Sequence, residues 1–361
     1  MNYLDFEKDL EILDKSLEEL KNPFNQEEGL SAVQSSQISE IENKIDLKIN
    51  EIYSNLDGWK KTLLARHEFR PKSEFYLSSI FENFQKLSGD RNFGDDQSVI
   101  AGFATINSKS VLVIGQEKGK DTESRISRNF GMMKPEGYRK CIRLMRLAEN
   151  YKIPVVTMID TPGAFPGKGA EERGQAEAIA QSINCCLDLK VPIISIIIGE
   201  GGSGGAIALA TSNKVLMLEH SIYSVISPEG CASILWKNAT KSKEAAYAMH
   251  LTAQDLYKNK LIDEIIEEPK GGAHRNPELM SIKIKKNINE TINYFETQSP
   301  KDIVRDRKDK FKNIGNNLQP DIISFETISQ TKLKDVLIKN RNKIIFFIGI
   351  MIFSLFFLLI Y

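Results

Sequence analysis

The chain of 361 residues, with a mass of 40.8 kDa, has room for one large α/β domain with additional segments, which excludes a peptide-sized module. Its 41% apolar and 27% charged residues exclude disorder throughout the chain. Because 48 lysines and arginines balance 48 aspartates and glutamates, no overall field attracts nucleic acid, and none is predicted as a partner. The four cysteines form no C-x-x-C pair, which predicts a reducing, cytoplasmic compartment and no zinc ribbon in this chain.

Residues 1–74 are predicted to form amphipathic helices. The first apolar residues are spaced by three and four positions, as on one face of a helix: Phe6, Leu10, Leu13, Leu17 and Leu20. A second apolar series from Ile38 to Leu63 keeps near-heptad spacing, which predicts one long helix. The spacing leaves open whether this helix packs on its own chain or on a partner chain.

Residues 75–298 are predicted as the central domain, in which β-branched runs alternate with helical patterns. Five runs are predicted as strands: Val99 to Ile106, Val111 to Gly115, Ile153 to Asp160, Ile193 to Gly199 and Val215 to Leu218. Alternation of this kind is typical of parallel β-α-β units in an α/β fold. A helix is predicted from Ala176 to Leu187, with Glu171 and Glu172 in its first turn.

The composition changes after the central domain. Residues 299–343 are mainly polar with an excess of basic residues, and they are predicted as a polar linker. The uncharged residues 344–361 reach about 27 Å as a helix and predict a C-terminal transmembrane helix. The preceding basic residues would stay on the cytoplasmic side, so that residues 344–361 would tether the chain to the inner face of that membrane. The alternative is an apolar helix that docks on a soluble partner.

A glycine-rich loop, Gly199 to Ala206, follows the fourth predicted strand and precedes a small-residue helix. Glycine lets the backbone approach a ligand closely, and the first N–H groups of a helix have no partner within it. We therefore predict backbone donors for negative charge at Gly204 and Gly205, and substrate contacts at Gly201 and Gly202. The alternative is that these glycines only permit close packing of strand and helix.

A second glycine loop, Asp160 to Gly167, follows the preceding strand. Open α/β folds bind ligands at the carboxyl ends of their strands. We predict that Gly163 and Ala164 donate backbone N–H groups and that Phe165 contacts the substrate. Two loops after successive strands can direct two amide clusters into one cavity, where they hold an oxyanion.

Three basic residues between the second and third strands, Lys118, Arg125 and Arg128, are predicted to bind substrate phosphates. The alternative is a solvated basic surface. The four histidines have no metal-ligand spacing, so no metal is predicted in this chain.

Ser203 carries a competing hypothesis, a serine hydrolase. Residues 201–205 match the motif G-x-S-x-G, and Asp255 or Asp263 and then His274 follow in the order of a catalytic triad. That order also arises by chance in a chain with many carboxylates, and a hydrolase leaves the second glycine loop unexplained.

Seven collinear segments carry a family resemblance: SRNFGM from Ser127, PEGYRK from Pro135, IDTPGA from Ile159, GAEERGQ from Gly169, GEGGSGGA from Gly199, YSVISPEGCASILW from Tyr223 and GGAHRNPE from Gly271. Over about residues 1–295 the chain closely resembles the carboxyltransferase alpha subunit of bacterial multisubunit acetyl-coenzyme A carboxylase. The resemblance implies a crotonase-like fold, a superhelix of β-β-α units. It also implies transfer of a carboxyl group from carboxybiotin to acetyl-CoA, which forms malonyl-CoA for fatty acid biosynthesis.

The resemblance implies partner subunits as well. These are a beta subunit that carries a zinc ribbon, a biotin carboxyl carrier protein, and a biotin carboxylase that uses ATP. In such a complex the predicted donors at Gly163, Ala164, Gly204 and Gly205 would stabilise charge on the biotin ureido oxygen. Residues 344–361 depart from the family pattern. A noncatalytic crotonase-like scaffold that brings a partner to the membrane is the alternative.

Overall fold

The computed structural model describes residues 3–22 and 32–316 of the chain. The segment 344–361 and the predicted linker from residue 317 onward lie outside these ranges. Within them, no helix is both long and apolar enough to cross a membrane. Membrane insertion of 344–361 therefore stays a prediction. It would be contradicted if the full chain and a chain ended at residue 343 were equally soluble after membrane fractionation.

A mixed β-sheet lies at the centre of the described residues. Its strands are β1 Glu82–Lys86, β2 Val99–Ile106, β3 Lys109–Gln116, β4 Val155–Thr161, β5 Ile193–Gly202, β6 Lys214–Leu218, β7 Ile222–Ser224 and β8 Glu264–Ile266. Their spatial order is β1-β2-β3-β4-β5-β6-β8, and β7 pairs with the end of β5. All five strand predictions are confirmed within three residues at each end, and the α/β class is confirmed.

The parallel units begin only at β3, so the expectation of parallel pairing was wrong for β2 and β3. These two strands pair antiparallel, as do β1 and β2, whereas β3, β4, β5, β6 and β8 pair parallel. Asn107 and Ser108 connect β2 to β3, and both have positive φ angles, of 47° and 64°. Two central residues with positive φ form the tight turn that suits an antiparallel hairpin.

Helices cover both faces of the sheet. They are α1 Lys8–Lys21, α2 Ala32–Tyr53, α3 Gly58–Ala65, α4 Ser73–Ile80, α5 Thr122–Ser127, α6 Pro135–Asn150, α7 Lys168–Glu172, α8 Gln175–Asp188, α9 Ser203–Ala210, α10 Pro228–Leu235, α11 Ser242–Ala248, α12 Ala253–Lys258, α13 Pro277–Glu296 and α14 Pro300–Asn313. On β3, Leu112 and Ile114 face α6, α8 and α9, whereas Val111 and Val113 face α4 and α13. Burial on both faces explains the uninterrupted apolar runs of the central strands.

The N-terminal helices pack on each other and on the same chain. α1 and α2 form an antiparallel pair whose apolar contacts include Leu10, Ile45 and Ile49. The prediction of one helix from Ile38 to Leu63 was wrong, because α2 ends at Tyr53. The side chain of Asp57 accepts the N–H of Lys60 at 2.8 Å and caps a new helix, α3.

Two further boundaries differ from the sequence predictions. The helix predicted from Ala176 is α8, but Glu171 and Glu172 belong to the separate helix α7. Gly174, with a φ of 81°, separates the two helices. The predicted linker was wrong over residues 300–313, because these residues form α14, which is held by the buried side chain of Arg307.

Candidate active site

The two glycine loops meet at the carboxyl ends of β4 and β5, as expected. A Cβ atom at Gly202 would lie 2.2 Å from the carbonyl oxygen of Pro162. A Cβ atom at Gly205 would lie 2.5 Å from the carbonyl carbon of Gly163. Both distances are far below a van der Waals contact, so only glycine allows the two loops to touch backbone to backbone.

Three amide nitrogens remain available where the loops meet. Within the described ranges, the N–H group of Ala164 has no hydrogen-bond acceptor. Gly204 and Gly205 are the second and third residues of α9, whose first-turn N–H groups have no acceptor within the helix, and α9 has no side-chain N-cap. The prediction of Gly163 as a donor was wrong, because its N–H is directed at the Thr161 hydroxyl 3.2 Å away. The available donors therefore come from one residue of the first loop and two residues at the start of α9.

Gly201 and Gly202 do not present amides to a ligand. Both are buried in β5 and pair with Tyr223 and Ser224 of β7. Their predicted substrate contacts are therefore wrong, and the alternative of close packing applies to these two glycines. A Cβ atom at Gly201 would lie 3.0 Å from the Tyr223 ring.

A cavity of about 250 Å³ opens beside the loops at the same edge of the sheet. Lys118 and Arg125 line it, as do Asp160 of β4 and Glu200 of β5. The other lining residues are Ala65, Arg66, His67, Arg70, Lys72, Phe130 and Pro162. Of the seven charged residues in this lining, five are cationic and two are anionic, a balance that suits an anionic ligand.

Paired charges organise the cavity wall. Lys118 Nζ lies 2.7 Å from Asp160 Oδ1 and 3.1 Å from Glu200 Oε2. Arg66 connects Glu200, at 2.6 Å, to Glu229 of α10, at 2.7 Å. Burial opposes the charged form of Glu200, but the charges of Lys118 and Arg66 outweigh it and lower its pKa. The carboxylate is therefore ionised and fixed, which favours a structural role over proton transfer.

Arg128 and Phe165 lie outside the cavity lining. Arg128 is 3.5 Å from Glu74, and Phe165 packs below Lys134, with the ammonium 5.2 Å from the ring centroid. The Phe165 carbonyl also accepts a hydrogen bond from Gln175 at 3.0 Å. The predicted substrate contacts of these two residues are therefore not supported by their positions.

The fold does not assemble a serine hydrolase triad in the part of the chain that it describes. Asp263 binds Lys310 Nζ at 2.6 Å, and Asp255 accepts the Thr252 hydroxyl at 2.6 Å. The His274 ring stacks on His67 with 4.1 Å between centroids. Each predicted partner of Ser203 is therefore engaged elsewhere, and the triad hypothesis is wrong.

Histidine spacing predicted no metal, but the fold brings Glu7, His67 and His274 together. One potential ligand atom of each lies within 4.8 Å of the other two. His67 Nδ1 accepts the N–H of Phe69 at 3.2 Å, which leaves the imidazole proton on Nε2. Both oxygens of Glu7 accept hydrogen bonds. These bonds compete for the atoms that would bind a metal, so we interpret the cluster as packing between the N-terminal helices and the core.

This cluster predicts acid sensitivity. Burial, the neighbouring His67 ring and the charges of Arg70 and Arg275 outweigh Glu268 and lower the pKa of His274 to about 3. The unfolded chain binds this proton at a pKa of about 6.5, so acidification from pH 6.5 favours unfolding. Between pH 6.5 and 4.5, the free energy of unfolding of His274→Asn should fall by roughly 2 kcal/mol less than that of the wild-type chain. Chemical denaturation at both pH values measures this difference.

The matched control for His274→Asn is the substitution of an exposed histidine. His250 has a side chain that is 66% exposed, and His250→Asn should leave the pH dependence unchanged. Equal pH dependence in the wild-type chain and His274→Asn would contradict the prediction.

Sequence reasoning missed Arg66, Arg70, Asp160, Glu200 and Gln116 as parts of this site. Arg66 and Arg70 follow α3, far from the glycine loops in sequence, and carry no motif. Asp160 and Glu200 adjoin the loops, and their strand-end positions were the available signal. Gln116 ends β3 in the same way.

Solved structures define the class to which this fold belongs. Transcarboxylase 12S, solved with methylmalonyl-coenzyme A and methylmalonic acid, has a TM-score of 0.51 at 16% identity, covering 62% of this chain and 41% of that chain. A Pseudomonas malonate decarboxylase hetero-tetramer with coenzyme A has a TM-score of 0.50 at 12% identity, covering 69% of this chain and 93% of that chain. The fold is that of the crotonase-like carboxyltransferases, as the resemblance implied.

Sequence relatives define the family within that class. Residues 3–315 match the family described as "Acetyl co-enzyme A carboxylase carboxyltransferase-like". The Pelagibacter ubique acetyl-coenzyme A carboxylase carboxyl transferase subunit alpha is 55% identical, over 98% of this chain and all of that protein. The subunit of the same name from Cereibacter sphaeroides is 49% identical, over 88% of this chain and 98% of that protein. The chain belongs to this family of carboxyltransferase alpha subunits and is a carboxyl-transferring enzyme of a biotin-dependent, multisubunit carboxylase.

The C-terminal region is not peculiar to this chain. Because the Pelagibacter alignment leaves out only 2% of the chain, it includes most of the region after residue 317. The Cereibacter alignment leaves out 12% of the chain and 2% of the Cereibacter protein. The departure from the family pattern is thus shared with at least one relative.

Proposed function

We propose that the chain transfers the carboxyl group of carboxybiotin to acetyl-CoA, forming malonyl-CoA, together with a carboxyltransferase beta subunit. The observation that carries this proposal is the unbonded N–H group of Ala164 beside the first turn of α9, where the Gly204 and Gly205 amides have no acceptor within the helix, next to the cavity. Family membership supports the same reaction, since the relatives are named acetyl-coenzyme A carboxylase carboxyl transferases.

The donors fit a group that gains negative charge during the reaction. Biotin, carried by a partner subunit, supplies a ureido oxygen on which charge develops when the carboxyl group leaves. Ala164, Gly204 and Gly205 would hold this oxygen with N–H groups that the backbone fixes in advance, so no reorganisation is needed. Lys118 and Arg125 would bind an anionic part of the substrate in the adjacent cavity. This mechanism requires no side-chain base from this chain.

Reconstitution tests the reaction. Purified chain, beta subunit, a free biotin derivative and malonyl-CoA should together release acetyl-CoA, and omission of either subunit should abolish this decarboxylation. A beta subunit with the same activity alone would instead indicate a noncatalytic scaffold. Ser203→Ala should remain near wild-type, because a backbone site does not use the hydroxyl, whereas loss of activity would contradict a site built on backbone amides.

We further propose that the beta subunit covers an exposed apolar surface on α10 and α11. This α10–α11 surface consists of Ile234, Leu235, Trp236 and Tyr247, and the side chains of Leu235 and Tyr247 are 69% and 77% exposed. Glu229, in the first turn of α10, is paired with Arg66 of the cavity wall. The helix that carries most of this surface therefore begins at the cavity wall, where a second subunit would complete the site. Exposed apolar clusters of this kind mark protein interfaces.

Leu235→Asp should prevent assembly with the beta subunit, because a charge would be buried in an apolar interface. Size-exclusion chromatography of the mixed subunits should show separate peaks, while circular dichroism of the variant chain stays unchanged. The matched control is Ile12→Asp on α1, where the side chain is 65% exposed. Coelution of Leu235→Asp with the beta subunit, or equal disruption by Ile12→Asp, would contradict this proposal.

A further inference from the structure

Gln116, the last residue of β3, contacts both glycine loops with one side chain. Its amide oxygen Oε1 accepts the N–H of Asp160 at 3.2 Å, at the end of β4. Its nitrogen Nε2 donates to the carbonyl oxygen of Gly205 at 2.7 Å, in the first turn of α9. The side chain is completely buried, so water does not compete for either bond.

The Gln116 backbone is itself held in place. Its carbonyl oxygen accepts the Ser73 hydroxyl at 2.7 Å, at the start of α4. β2 also pairs with β3 at this position, where Val99 is opposite Gln116. The glutamine side chain therefore extends from a fixed strand end and has little freedom to follow movements of the loops.

We infer that Gln116 is a positioning residue that sets the distance between the amides of Ala164 and those of Gly204 and Gly205. Asp160 begins the loop that carries Ala164, and Gly205 is itself a predicted donor, so the two bonds of Gln116 tie together the two halves of the donor set. A neutral amide suits this place, because it donates and accepts at once without burying a charge. This inference rests on the proposed function.

A second link between the loops does not replace the Gln116 link. Asp160 Oδ1 accepts the N–H of Glu200 at 2.9 Å and lies 2.7 Å from Lys118 Nζ. Those bonds join the ends of β4 and β5, whereas Gln116 reaches the helix that bears the Gly204 and Gly205 amides. Loss of Gln116 should therefore loosen the start of α9 and leave the cavity wall intact.

Gln116→Met keeps the length of the side chain but loses both hydrogen bonds. In the reconstituted complex it should lower kcat by roughly 10- to 100-fold, because a misplaced donor stabilises the transition state poorly. The KM for malonyl-CoA should stay within about twofold of wild-type, since the cavity residues are unchanged.

Gln116→Glu tests the hydrogen-bond pattern itself. A protonated carboxyl group donates and accepts as the amide does, whereas a carboxylate only accepts and would repel the Gly205 carbonyl oxygen. The kcat of this variant should therefore rise as the pH falls, with an ionisation that is absent from the wild-type and Gln116→Met profiles. A merely structural role of Gln116 would not produce this selective recovery.

The matched control is Ser195→Ala. The Ser195 hydroxyl is also buried and donates to a carbonyl of α9, that of Leu209 at 2.8 Å, but at the opposite end of the helix. Ser195→Ala should lower the Tm about as much as Gln116→Met does, but it should leave kcat unchanged.

Wild-type kcat in Gln116→Met, or a pH profile of Gln116→Glu parallel to that of the wild-type, would overturn the inference. The pH profile decides the matter if Gln116→Met does not fold. An inactive wild-type complex would count against the proposed function, whereas an active wild-type complex with unaffected Gln116 variants would count against the positioning role alone.

Discussion

Gly204→Pro is expected to lower the kcat of the reconstituted carboxyltransferase by roughly 10²- to 10³-fold, the usual effect of losing one oxyanion donor. Proline has no N–H group, and it is tolerated in the first turn of a helix, where Gly204 is the second residue of α9. The measurement is the rate of malonyl-CoA decarboxylation at saturating substrate, with coelution of the beta subunit as the check on assembly.

Gly204→Ala is the matched control because it retains the N–H group. A Cβ atom at this position would have as its nearest neighbour Ile179, 3.6 Å away, which is an ordinary contact. This variant should therefore keep most of the activity. If Gly204→Pro were as active as Gly204→Ala in an assembled complex, the Gly204 amide would not be a donor in the reaction.

Gly205 is expected to tolerate no side chain at all. Its Cβ atom would lie 2.5 Å from the Gly163 carbonyl carbon and 2.9 Å from Ala164 N, so even Gly205→Ala must separate the loops. The two glycines in the first turn of α9 thus have different roles. Gly204 supplies a donor in open space, and Gly205 permits the contact that brings Ala164 into the donor set.

Arg307→Met is expected to lower the free energy of unfolding by at least about 1–3 kcal/mol, the cost of leaving a buried acceptor without its donor. The guanidinium is completely buried and donates to the carbonyl oxygens of Leu189 and Val191, each at 2.8 Å, and to that of Cys186. It also donates to Asn213 Oδ1 at 2.6 Å. Methionine would leave buried carbonyl groups without donors, which is the costly outcome. Chemical denaturation of the full chain measures the loss.

The control for Arg307→Met is on the same helix. The side chain of Arg305 is 72% exposed and pairs only with Asp302, three residues away, among the described contacts. Arg305→Met should change the free energy of unfolding by less than about 0.5 kcal/mol. Equal effects of the two substitutions would show that α14 does not depend on Arg307.

Several parts of the molecule were predictable from local sequence. The strands β2 to β6 follow from β-branched runs, and the helix α8 follows from an apolar face with helical spacing. The meeting of the two glycine loops follows from their positions after successive parallel strands. In each case the pattern that encodes the structure lies within a short stretch of chain.

The errors arose where a local pattern competes with another signal. The near-heptad spacing of apolar residues runs without interruption from Ile38 to Leu63, although the helix itself is broken where Asp57 caps α3. α14 has few apolar residues, and a buried arginine holds it, so its pattern resembled that of a linker. The sequence does not distinguish the four glycines of this loop, which are Gly201, Gly202, Gly204 and Gly205. Only their contacts in the fold show that the first two pack within the sheet and that the last two lie at the start of α9.

The amino-acid sequence by itself determined the α/β class, the central strands, the family and the two loops that meet at the site, because these depend on spacing and on contiguous motifs. Only the tertiary structure decided which amides are available, that Gln116 joins the two loops, and that His67 stacks on His274. Those facts depend on contacts between residues more than 40 positions apart. Such contacts are set by the order of strands in the sheet and by side-chain packing, which leave no periodic signal in the chain.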